Sequence, residues 1–219
     1  MLKKILKKFL PNIFIKIIKN IYGFYKKKIF ERNLLYFKKN NNKIKIIIGS
    51  GSSNYAGWLA SDLPFFDISN EKKLSTILNN TEVDCFLAEH VFEHLSLEEG
   101  QKAILNLKKY LKKGGYFRIA VPDGFNPDPN YISYVAPNER SLNVHDHKIL
   151  YTYKKILKLF DDDFKIHLHE YFDENNKFCI NSWHNNEEYG FIYRSRYMDK
   201  RNTETKINYN SIILDAFKN

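Results

Sequence analysis

Three short stretches bring together residue types that could do chemistry. The first is Gly49-Ser50-Gly51-Ser52-Ser53, directly after the apolar run Ile44 to Ile48. Glycines at the end of a buried strand permit positive φ and let the backbone approach a ligand closely, although a plain tight turn has the same appearance. No Gly-Lys-Ser/Thr follows, so this is not a phosphate loop. Asp62 closes the next short apolar run (WLASD), and Asp67 follows Phe65-Phe66. A carboxylate at a strand's carboxyl end can accept hydrogen bonds from a ribose diol or an adenine amino group. It reads equally as a turn aspartate or a helix cap.

The second stretch is Glu89-His90-Val91-Phe92-Glu93-His94-Leu95, after the apolar run Val83 to Ala88. His90 through His94 match H-x-x-E-H, a pattern used by metalloproteases. Zinc there needs both histidines on one helix, an open water position and a distant third ligand. This stretch lies between a strand end and a fresh helix start, with room for barely one turn, so no metal is expected. His94 reads as a residue tying the turn to the next helix. The third stretch is His145-Asp146-His147-Lys148. His90, His145 and His147 are the candidates to take a proton from a hydroxyl acceptor. Lys148, Arg194 and Arg196 could hold a phosphate or be solvated charges, and residues 123–131 could wall an acceptor site.

The elements that must position these groups alternate. Ile44 to Ile48, Leu59 with its neighbours, Val83 to Ala88, Tyr116 to Val121, Phe164 to Phe172 and Ser211 to Phe217 read as strands. Ser96-Leu97-Glu98-Glu99 is a capping box opening a helix whose stripe is Ala103, Ile104, Leu107, Tyr110 and Leu111, stopped by Gly114-Gly115. A second amphipathic helix covers 152–161. The spacing between Gly51 and Trp58 is too short for a full crossover helix. Repeated strand–helix–strand order predicts an α/β fold with a parallel sheet covered on both faces.

Charge divides the chain. Of its 35 Lys/Arg, 13 fall in residues 1–43, where Glu31 is the only acid; the rest of the chain is close to neutral. The net charge of +10 therefore belongs to the N-terminal segment and is weak grounds for nucleic-acid binding by the domain. Ile13, Ile17, Ile18, Ile21 and Phe24 recur at helical spacing after Pro11, interleaved with lysines from Lys3 to Lys28. Three readings stay open for residues 1–39: a basic helix on an anionic inner-membrane surface, a helix packing on the domain or a partner protein, and a nucleic-acid arm. No uncharged stretch approaches the ~20 residues of a membrane span, and no secretory signal is evident. With only Cys85 and Cys179, no disulfide framework is available, and a cytoplasmic setting is expected. The boundary is placed in the polar run 38–43, giving a basic helical segment (1–43) and a domain (44–219).

The ordered set Gly49-Ser50-Gly51, Gly57-Trp58, Asp62, Ala88 through Leu95 and Leu111 through Asp123 resembles the bacterial predicted class I methyltransferases. Asp146-His147-Lys148 with Tyr151, and Asn208-Tyr209 with Ser211 through Ala216, continue the resemblance, which covers roughly residues 44–217. It implies a Rossmann-like, mostly parallel sheet of seven strands whose last strand, 211–217, runs antiparallel. It implies S-adenosylmethionine over Gly49, Ser50 and Gly51, with Asp62 near the ribose, Asp67 near the adenine, and the backbone of Ala88 and Glu89 along the methionine. The usual third glycine is replaced by Ser53, and the first crossovers are short. Relatives of this kind serve surface-polysaccharide and other glycan pathways, so a small sugar-type acceptor is expected and no nucleic acid. The competing readings are an RNA or protein methyltransferase gripping substrate with the basic segment, and a non-catalytic cofactor-binding partner of a glycan enzyme.

Overall fold

The computed structural model describes residues 12–137 and 146–219. The lysines before Asn12, Pro11 and His145 lie outside the described residues, as does the side chain of Ile13. The first described element is a long helix, α1 (Asn12–Lys39). There follow β1 (Lys45–Ile48), β2 (Leu59–Ala60), α2 (Glu71–Leu78), β3 (Val83–Glu89), α3 (Leu97–Lys108) and β4 (Leu111–Pro122). The rest comprises α4 (Pro129–Val135), α5 (Tyr153–Ile156), β5 (Phe164–Phe172), β6 (Phe178–Ile180) and β7 (Ser211–Lys218).

The strands form one sheet in the order β2-β1-β3-β4-β7-β5-β6. The β1–β2, β1–β3 and β3–β4 pairs are parallel, whereas β4–β7, β5–β7 and β5–β6 are antiparallel. The sheet is therefore mixed. Its last strand, β7, runs antiparallel between β4 and β5, as the resemblance implied, and the three-residue β6 adds a further antiparallel pair by folding straight back on β5.

Alternation along the strands divides the apolar side chains between two faces. Ile46, Ile48, Phe86, Phe117 and Leu214 face α2 and α3, whose Leu74, Leu78, Ile104 and Leu107 complete the main core. Phe30 and Leu34 of α1 join the same core, with Phe30 5.7 Å from Phe65 and 5.6 Å from Phe66 between ring centres. On the opposite face Ile47, Leu87, Ala120 and Ile213 pack against Trp58 and Ile192. No described helix covers that face. The irregular excursion 181–210 does so, and its Gly190 lies so close that a Cβ there would sit 2.5 Å from Leu87. Among the described residues the expected helical layer is absent, and the β1–β2 connection is too short to hold one.

Local chemistry explains the element ends. The capping box forms as expected: Ser96 accepts from the Glu99 amide, and the Glu99 carboxylate accepts from the Ser96 amide at 2.7 Å. The helix it opens ends at Lys108, however, before Tyr110 and Leu111. Leu111 already pairs with Val83, and the ladder resumes at Tyr116 opposite Cys85. The intervening Lys112 to Gly115 bulge outward, with Gly114 at φ +74° supplying the bend. The pair Gly114-Gly115 thus shapes a strand rather than ending a helix. The helix expected over 152–161 is a single capped turn, α5, continued as a 3-10 turn over Leu157–Leu159.

Candidate active site

The carboxyl ends of β1, β2, β3 and β4 lie along one edge of the sheet, where the sequence places its chemistry. At the end of β1 both Gly49 (φ +62°) and Gly51 (φ +54°) are left-handed. The turn between them is pinned to β2: the Ser50 amide donates to the Ser61 carbonyl at 2.8 Å, and the Ser61 amide donates to Ile47 at 2.9 Å. Asp62, just beyond β2, accepts the Gly51 amide on Oδ2 at 3.3 Å and the Leu63 amide on Oδ1 at 2.9 Å. Ser50 to Asn54, Leu59 and Ala60 line a cleft of about 270 Å³ whose far wall is Lys26, Phe30 and Asn33 of α1. Lys26 closes one end by donating to the Gly51 carbonyl at 3.2 Å. A Cβ built on Gly51 would meet nothing within 4 Å, so open space lies over that residue. Asp67 is engaged locally, accepting from the Ser69 amide at 3.1 Å and pairing with Lys73 at 3.4 Å.

The end of β3 carries the second group. Ala88 is buried inside the ladder, and Glu89 accepts the Arg194 amide at 2.7 Å. His90 continues the ladder, its amide donating to Ala120 at 2.8 Å, but with φ +56°. A left-handed histidine is strained, and such strain tends to sit at functional positions. Its Nε2 lies 3.0 Å from the Ser211 hydroxyl and its Nδ1 3.2 Å from Glu93 Oε1. A 3-10 turn over Phe92–His94 then buries Glu93 to 1% exposure. Burial pushes the Glu93 carboxyl up, but the imidazoles of His90 and His94 more than offset this and leave it below the ordinary carboxylate range.

A second cleft, of about 200 Å³, opens here between His90, Glu93, His94, His147, Arg194 and Arg201, with Tyr134, Val135 and Tyr209 as its remaining walls. The structure therefore unites His90 with His147. Lys148 is turned outward and held by both Glu99 oxygens, at 2.7 and 2.9 Å. The stretch from Tyr193 to Tyr197 is turn rather than strand; Arg194 reaches the cleft, while Arg196 donates its Nη2 to the Glu204 carbonyl at 2.8 Å. Of the loop expected to wall an acceptor site, Asp123 is a buried knot accepting from Phe125, Phe172 and Asn210. The wall is instead supplied by α4 through Tyr134 and Val135. Sequence reasoning missed Glu93, Arg201 and Tyr209 as site residues. Glu93 carried a signal in its place inside H-x-x-E-H, and Tyr209 in its place within the family resemblance; Arg201 carried none.

No protein-family model matches the chain, and no curated protein matches it. Solved structures do. A SAM-dependent methyltransferase from Archaeoglobus fulgidus is similar at 17% identity and TM-score 0.47, over 90% of this chain and 94% of that one. One from Thermotoga maritima, described as a possible histamine N-methyltransferase, is similar at 13% identity and TM-score 0.46, over 99% of both chains. A third, from Anabaena variabilis, has 12% identity and TM-score 0.46, over 81% of this chain and 77% of its own. Similarities this distant leave the functional argument to the residues of this chain.

Proposed function

We propose that the protein transfers a methyl group from S-adenosylmethionine to an oxygen of a small, polar, sugar- or nucleotide-linked acceptor in surface-glycan assembly. The observation that carries this reading is the Asp62 carboxylate held on the Gly51 amide, with open space over Gly51 and a cleft running from that turn. A nucleoside fits this chemistry. Each Asp62 oxygen has lone-pair capacity left for a ribose hydroxyl, while Ser50 to Asn54 offer backbone and hydroxyl groups and Phe30 and Leu59 offer apolar surface.

When bound, S-adenosylmethionine supplies an electrophilic methyl group, so the protein's own work is alignment and exclusion of water. Gly49 and Gly51 set the turn that lets the backbone reach the cofactor. Phe30 of α1 forms part of the cleft's far wall. Arg194 and Arg201, at the rim of the second cleft, suit the negative charge of a phosphate on the acceptor. His90 already holds one hydroxyl, that of Ser211, at Nε2, and an acceptor hydroxyl exchanged for it would be oriented along the same direction.

Calorimetric titration of S-adenosylmethionine tests the reading. The wild-type chain binds, and Asp62→Ala binds roughly 10- to 100-fold more weakly, the range for losing hydrogen bonds to a charged group. Absence of binding by the wild-type chain overturns the proposal. With binding intact, transfer of labelled methyl to a panel of nucleotide sugars tests the acceptor class, and no label in any of them removes it.

A further inference from the structure

The second cleft holds three donors that the methyl-transfer reading leaves without work. Glu93 is 1% exposed; His90 Nδ1 lies 3.2 Å from its Oε1 but off the hydrogen-bonding direction, and Oε2 has no donor. A buried carboxylate left so is costly unless something positive completes it. His94 and His147 lie beside it, their rings 5.0 Å apart and nearly perpendicular. Their Nδ1 atoms point away, to backbone carbonyls: His147 to Val135 at 2.7 Å and His94 to Asp146 at 3.3 Å. A carbonyl only accepts, so Nδ1 carries a proton in both rings, and Nε2 is the ring atom each has to offer a metal. His147 Nε2 lies 3.9 Å from Glu93 Oε1, and one donor atom from each of the three residues falls within 4.8 Å of the others.

We propose that Glu93, His94 and His147 form a site for one divalent transition-metal ion whose remaining coordination positions open into the acceptor cleft. Two imidazoles and one carboxylate suit zinc, manganese or iron more than calcium or magnesium. A tetrahedral ion would draw the donors to about 3.4 Å apart, closer than the spacing of up to 4.8 Å they have without it. The backbone carbonyls of Val135 and Asp146 fix each ring's tautomer, as outer partners of metal-bound histidines do. His90 is not a ligand: its Nε2 is directed at Ser211, and its Nδ1 flanks Glu93. The proposed ion would use two residues of the H-x-x-E-H pattern with a third from a distant loop, not the pattern's two histidines. The cation site stands on this geometry alone. Its use, holding acceptor oxygens beside the methyl donor, rests on the methyl-transfer reading.

The test uses the full chain stripped with a chelator and titrated with Zn²⁺ by calorimetry and with Co²⁺ by visible absorption. One ion per chain is expected, with cobalt bands of a low-coordinate nitrogen–oxygen site. His147→Gln should weaken binding by roughly 10- to 100-fold. His94→Gln, at the cleft mouth, should weaken it likewise, and its melting curve shows whether the fold is kept. No stoichiometric binding by the wild-type chain overturns the proposal, as does binding unchanged in a folded His94→Gln. Metal binding without S-adenosylmethionine binding would sink methyl transfer and leave this site standing; the reverse result would do the opposite.

Discussion

Arg118 of β4 and Asp215 of β7 are register partners joined by a two-pronged ion pair, Nε to Oδ1 at 2.7 Å and Nη2 to Oδ2 at 2.6 Å. Both are almost wholly buried. The guanidinium's Nη1 donates to the carbonyls of His184 and Gly190 at 2.7 and 2.8 Å, so one residue fastens the 181–210 excursion to the sheet. Asp215→Asn leaves that cation buried without its counter-charge. We expect a loss of about 3–5 kcal/mol, read as a lowered urea midpoint. A loss under about 1 kcal/mol would show that the pair is not what holds the excursion.

The same pair sets an acid limb. Burial pushes the Asp215 carboxyl up, but Arg118 and His169 outweigh it, so its pKa lies below the ordinary 3.8. A depressed carboxylate stabilises the fold fully above its unfolded value and loses that contribution as pH falls through the folded value. Urea midpoints should therefore drop as pH falls below about 4, and part of that drop should vanish in Asp215→Asn. Equal acid slopes in the two proteins would contradict this.

Phe30→Ala opens a hole between α1, Phe65 and Phe66 and should destabilise by about 3–5 kcal/mol. Phe24, 63% exposed on the same helix, should change stability by about 0.5 kcal/mol or less when replaced by alanine. Chemical denaturation of the two variants compares them directly. Equal effects would mean that α1 is not part of the core.

Gly49 and Gly51 share a backbone conformation but not an environment. A Cβ on Gly49 would lie 2.8 Å from Val91 Cγ2, whereas one on Gly51 meets open space. Gly51→Ala should cost about 1–2 kcal/mol from the left-handed backbone alone. Gly49→Ala should cost more, because Val91 must also move. Thermal unfolding of both variants reads the order, and a reversed order would refute the contact.

The position of α1 shows where the sequence ran short. Its most regular apolar residues, Ile17, Ile18, Ile21 and Phe24, are about half exposed or more, while Phe30, Leu34 and Gly23 face the domain. Helical periodicity reports that a stripe exists. It does not say which stripe another part of the chain will cover.

What the sequence determined by itself were the features written in neighbouring residues. The glycine turn after Ile48, the capping box at Ser96 and the strands at Val83, Phe164 and Ser211 depend on local sterics, local hydrogen bonds and a two-residue alternation. Tertiary structure alone decided where β7 enters, which made the sheet mixed, and that an irregular excursion covers the second face. It also decided that His147 meets Glu93 and His94, and that Arg118 finds Asp215. Those partners are far apart along the chain, and only the packed sheet sets the distances between them.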